Sequence, residues 1–104
     1  MTSGDFNEFA FVKPLQLFAA HSSLQDLDEV VQLSPAERYT YLYDGNCQEL
    51  DHVFVSEAIA QNAATSMEHV HVNTWLTYDQ QKSDHDPSVV RVDVCEGGRK
   101  GAEL

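Results

Sequence analysis

The six residues Leu50-Asp51-His52-Val53-Phe54-Val55 alternate with a period of two, the spacing of a β-strand. That spacing puts Asp51 on the same face as Val53 and Val55. An acid on an apolar strand face is costly unless it is paired or hydrogen-bonded. The chain must therefore fold so that a partner reaches Asp51. A histidine suits, because a carboxylate orients the ring and stabilises its cationic form. His85 is the candidate. It lies in the loop Ser83-Asp84-His85-Asp86-Pro87, where Pro87 blocks a helix and a strand follows.

The rest of the chain reads as turn, helix, helix, hairpin, short helix, strand, loop, strand. Phe11, Leu15 and Phe18 share one helical face, with Pro14 near the helix start. Leu24, Leu27 and Val31 form the stripe of a second helix, with Ser23 and Asp26 as its capping pair. Ser34-Pro35-Ala36-Glu37 is a short helical start or a turn. A strand over 38–43 puts Tyr39, Tyr41 and Tyr43 on one face and pairs with 50–55 across a loop from Asp44 to Gln48. Ser56 caps a short helix through Ile59. In the next strand Val70, Val72 and Thr74 alternate with a polar face of His69, His71 and Asn73. Val90, Val92 and Val94 point one way in the last strand. The order implies an α/β (α+β) fold, with a mostly antiparallel sheet and helices on one side.

With 104 residues the chain has room for one domain, here 1–95, followed by a Gly-rich charged tail over 96–104. No apolar run is long enough to span a bilayer, and no export signal is read, which leaves the compartment unassigned. The formal charge is −11 with only 6 Lys+Arg. A nucleic-acid binder that relied on its own side chains would carry the opposite sign. Any phosphate ligand therefore needs a cation to accompany it. Cys47 and Cys95 either pair or remain thiols; spacing does not choose.

Three stretches carry chemistry: Gly4-Asp5-Phe6-Asn7, Glu49-Leu50-Asp51-His52 and Ser83-Asp84-His85-Asp86-Pro87. Asp84 adds a hard oxygen ligand, of the type taken by Mg²⁺, Ca²⁺ or Mn²⁺, beside the acid/base group His85. His69, His71 and His85 allow a zinc site as an alternative. The preferred reading puts His71, with Asn46, in a polar network supporting the site. His21 and His52 read as surface or packing residues, and Trp75 and the tyrosines as packing residues before base-stacking ones.

Taken together, GDFN, the strand aspartate and SDH resemble the C-terminal signature of the endonuclease/exonuclease/phosphatase (DNase I-like) superfamily. The strings RYTYLYDGNCQELDH, HVHVNTW and SDHDPSVV resemble its branch of bacterial and fungal secreted nucleases. The resemblance runs from Gly4 to Val94. It implies the C-terminal half of a two-sheet sandwich, and phosphoester hydrolysis assisted by Mg²⁺ or Mn²⁺. It also implies roles. Asp5 positions or deprotonates the attacking water and lies at the metal, and Asn7 hydrogen-bonds the phosphate. Asp51 pairs with the catalytic His85, and Asp84 sits near the metal. Substrate could be a nucleic acid, an inositol phosphate or another phosphoester.

The family's first half, with its main metal-binding glutamate, has no counterpart here. The resemblance thus implies that the apolar face of Tyr39, Tyr41, Val53, Val70 and Val90 lacks its cover and invites the missing half or self-association. A catalytically silent remnant or interaction half-domain is the alternative function.

Overall fold

The computed structural model describes residues 1–93. Val94, Cys95 and 96–104 lie outside the described residues, and with them the Cys47–Cys95 pairing and the tail. The fold is α+β, with every strand pair antiparallel. The strands are β1 (Thr2–Asp5), β2 (Gln25–Asp26), β3 (Tyr41–Tyr43), β4 (Asn46–Gln48), β5 (Asp51–Val55), β6 (Ser66–His69) and β7 (Ser88–Arg91). The helices are α1 (Lys13–Ser22), α2 (Leu27–Val30) and α3 (Glu57–Ala60), with 3₁₀ turns at Pro35–Glu37 and Tyr78–Gln80.

Strand β5 sits between β1 and β2, so both of its edges are paired. Its register sets Asp5 opposite Asp51 and Gly4 opposite His52. On one face, Val53 and Val55 form a buried cluster with Leu27 and Met67, against which Val30, Val31, Ile59 and Val90 pack. On the other face, Phe54 meets Phe18 of α1 edge-on at 5.1 Å between centroids and Phe6 at 5.5 Å. Burying a Val, Leu or Phe side chain contributes about 1.5–3 kcal/mol, so β5 anchors the core from both faces.

Several expected elements are placed differently. The strand over 38–43 does not pair with 50–55. Asp44 and Gly45 both have positive φ (50° and 82°) and close a tight hairpin between β3 and β4. Such a two-residue turn matches the strand twist, so pairing begins at once with Asn46. Ser23 ends α1 in the left-handed conformation (φ 63°) instead of opening the second helix. Asp26 caps that helix, accepting from the Asp28 amide at 3.0 Å, and the helix is a single turn.

The strand expected over 69–74 ends at His69, and its polar positions face inward: His69, His71, Asn73 and Thr74 are buried, while Val72 is exposed. The reason is that each polar group finds a buried partner, as described below. The apolar face expected to lack cover is not open. Val53 is buried, and Tyr39, Tyr41, Val70 and Val90 are half-buried. No helix among the described residues is long and apolar enough to cross a membrane.

Below β5 lies an acidic interior. His69 donates from Nε2 to Asp28 Oδ1 at 2.8 Å and accepts from Ser88 Oγ at Nδ1 (2.7 Å). Asp28 is fully buried. Burial opposes its charge, but the bond from His69 and the nearby Arg38 charge outweigh that cost and hold its pKa below the usual carboxylate range. Glu49 moves the other way. Burial, then the adjacent Asp28 and Asp26, push its carboxyl up to about 9.

A folded-state value above the unfolded one stabilises the protein fully below the unfolded pKa of about 4.3, and this contribution drains as pH rises toward the folded value. We therefore expect Glu49→Gln, in EDTA, to melt progressively higher than the parent as pH rises from about 5 to about 9, as read by circular dichroism. A difference that does not change with pH would contradict this. Thr40, also fully buried, accepts through Oγ1 from the Leu50 and Asp51 amides at 3.3 and 3.2 Å. Thr40→Val should cost about 1–3 kcal/mol in urea unfolding, because it leaves two amides without an acceptor.

Candidate active site

Three segments converge at the end of β1. Asp5 and Asp51 face each other across the β1–β5 pair, which brings two carboxylates together. Like charges so placed need a cation between or beside them. His85 supplies it from the loop before β7. Its Nδ1 donates to Asp51 Oδ2 at 2.6 Å, and its Nε2 faces Asp5 Oδ2 at 3.5 Å. Asp51, the acid that strand alternation sets on an apolar face, thus meets the ring of His85.

Backbone contacts hold this geometry. Tyr41 and His85 form a β-bridge, and the Asp86 amide donates to the Thr40 carbonyl at 2.8 Å. The Tyr41 ring covers the imidazole at 4.8 Å. Asp5 Oδ1 accepts from the Asn7 amide at 2.8 Å, and Asn7 adopts φ 56° to close that turn. A groove of about 340 Å³, lined by Ser3, Gly4, Asp51, Asp86 and Val90 among others, runs beside Asp51.

A second network fixes the loop from below. Asp86 is buried and accepts four bonds: from the Asn73 and Thr74 amides (both 2.9 Å), Thr74 Oγ1 (2.6 Å) and His71 Nδ1 (2.8 Å). Burial pushes its carboxyl up, but the bonds from Thr74, His71 and Asn73 outweigh burial and hold it below the usual carboxylate range. Asn73 adds a bond from Nδ2 to the His85 carbonyl at 2.8 Å. His71 stacks on Tyr39 with centroids 4.0 Å apart, and Trp75 donates from Nε1 to the Tyr39 hydroxyl at 2.7 Å. Trp75 itself is 75 % exposed.

Of the residues singled out from sequence, Asp5, Asp51 and His85 form one cluster, with donor atoms within 4.8 Å of one another. Asn7 reaches it through its backbone amide, and its side chain is exposed. Asp84 is exposed and acts on His85 through its charge. His71 supports the site through Asp86. Asn46 lies on the β3–β4 hairpin, where it reaches its own turn at Asp44 O (3.5 Å). His69, His71 and His85 each take a different carboxylate, Asp28, Asp86 and Asp51, so they do not converge on a zinc ion. His52, expected at the surface or in packing without a partner, is fully buried and bonded to the Glu8 carbonyl at 2.7 Å. The supporting roles of Asp86, Asn73, Thr74 and Thr40 were missed by sequence reasoning. The pairing of Asp86 with Pro87 and the inward spacing of 69, 71 and 73 were the available signals.

The electrostatics favour an imidazolium. Burial pulls the His85 pKa down, but the Asp51 bond and the charges of Asp51, Asp5 and Asp84 outweigh it and raise the value. The stabilisation from this pair is complete below the unfolded pKa of about 6.5 and is lost as pH rises through the folded value. We expect NMR titration of the His85 ring protons to give a pKa above about 6.5, the value of an unperturbed imidazole. Asp51→Asn should bring it down toward about 6.5. An unchanged His85 pKa in that variant would contradict the assignment. In comparisons with known proteins, no protein-family model, curated protein or solved structure matches the chain.

Proposed function

We propose that the chain is a metal-dependent phosphoester hydrolase of the endonuclease/exonuclease/phosphatase type, acting on a phosphodiester. The observation that carries this reading is the imidazole held at Nδ1 by Asp51 (2.6 Å), with its Nε2 turned toward Asp5 (3.5 Å). The Asp51 bond leaves Nε2–H on the Asp5 side of the ring, and the ring is 23 % exposed, so a ligand can reach it. An imidazolium in this position contacts a phosphoryl oxygen and stabilises the charge that builds up on it in the transition state. Asp5, 46 % exposed, orients a water molecule for in-line attack and takes its proton. The water oxygen bonds to phosphorus, the ester P–O bond breaks, and the departing oxygen leaves as an anion that solvent protonates.

A chain of charge −11 repels phosphate, and this is where a cation belongs. Asp5 and Asp51 offer the carboxylate oxygens that Mg²⁺ or Mn²⁺ takes, with waters filling the other positions. When bound, the ion would screen the phosphate and act as a Lewis acid.

The test is hydrolysis of bis(p-nitrophenyl) phosphate by the purified chain. Turnover should require Mg²⁺ or Mn²⁺ and stop in EDTA. His85→Ala should lower kcat by about 10²–10⁴-fold, the span of general acid–base and electrostatic groups. His85→Ala as active as the parent would overturn the proposal.

A further inference from the structure

Asp26, Glu49 and His52 bring one donor atom each within 4.8 Å of one another, in a cluster that shares no residue with the proposed active site. They come from the end of β2, the turn before β5, and β5 itself. Strand alternation points His52 to the opposite face of β5 from Asp51.

The state of His52 decides what this cluster can hold. The ring is fully buried. Its Nε2 lies 2.7 Å from the Glu8 carbonyl, which only accepts, so Nε2 carries a hydrogen. In the neutral ring the lone pair is then on Nδ1. That atom has no hydrogen-bond partner and faces Glu49 Oε2 at 3.7 Å, beyond hydrogen-bond distance. Glu49 Oε2 and Asp28 Oδ2 are likewise buried without a partner. A ring fixed at one nitrogen by a backbone carbonyl, with its other nitrogen bare and aimed at carboxylates, is the arrangement of a metal-binding imidazole.

We propose that Asp26, Glu49 and His52 form a binding site for a divalent cation of the zinc type. One imidazole nitrogen and two carboxylates are three ligands, and a water or the neighbouring Asp28 completes four-coordination. The imidazole favours Zn²⁺ over Mg²⁺ or Ca²⁺, which prefer an all-oxygen shell. The ion's two positive charges offset those of Asp26 and ionised Glu49. Binding ties β2, the turn at Glu49 and β5 together, so it stabilises the fold instead of taking part in the phosphoester reaction.

The experiment is calorimetric titration of Zn²⁺ into the EDTA-stripped 104-residue chain carrying His85→Ala, which removes the imidazole of the other cluster. We expect one Zn²⁺ per chain and a higher melting temperature. Adding His52→Gln should weaken binding at least tenfold. If that variant fails to fold, Asp26→Asn is read in its place with the same expectation. Co²⁺ in place of Zn²⁺ should give visible absorption of a four-coordinate site that His52→Gln or Asp26→Asn abolishes. Absence of Zn²⁺ binding in the His85→Ala chain overturns the proposal, and so does binding that a folded His52→Gln or Asp26→Asn variant leaves unchanged. Neither result bears on the Mg²⁺-dependent reaction, which uses other residues.

Discussion

Strand β5 is paired on both edges and packed on both faces, so His52 to Val55 are buried and Asp51 is half-buried. The apolar ones are easily placed: Val53 and Val55 pack with Leu27 and Met67, and Phe54 with Phe6 and Phe18. The polar pair Asp51 and His52 cannot be solvated freely and must each find a partner. Asp51 draws in His85 and with it the loop before β7. His52 reaches the Glu8 carbonyl and so ties down the segment after β1. Two polar residues on one strand thus help to fix two connections.

Both consequences arise from an acidic chain that buries some of its acids. Repulsion among carboxylates is relieved in two ways. At Asp51 and Asp86 a histidine supplies positive charge or a proton donor, and at Asp86 backbone amides help. At Asp28 and Glu49, His69 bonds the first acid, while burial and the adjacent acids push the carboxyl of the second up to about 9. The first arrangement leaves an imidazole near the surface whose acidic neighbours favour its protonated form. The second leaves bare acceptors in the interior, suited to a cation. Histidine serves both because its second nitrogen takes the role that the first one's partner dictates.

The pairing of Asp51 with a histidine was legible in the sequence, since strand period and the cost of a buried charge together demand it. The tight turn at Asp44-Gly45 was legible as a turn signal, but not its consequence that Asn46 to Gln48 pair at once and free β5 for β1 and β2. Residues 69, 71 and 73 read only as one polar face, because alternation reports that two faces differ and not which one is inside. Their partners, Asp28 and Asp86, lie 41 and 15 residues away, and no local pattern announces such pairs. The acidic cluster was hidden for the same reason. Asp26 reads as a helix cap, Glu49 lies in a turn, and only the sheet register unites them with His52.

On the proposed function, β1, β5 and the loop before β7 build one phosphate-binding point around His85. An amide-resolved ¹H–¹⁵N spectrum titrated with inorganic phosphate in the presence of Mg²⁺ tests it most directly. The account predicts shifts concentrated at Asp5, Asn7, Asp51 and His85, with the hairpin tip at Asp44 and Gly45 unmoved. Saturable shifts elsewhere, with those four residues unperturbed, would contradict it.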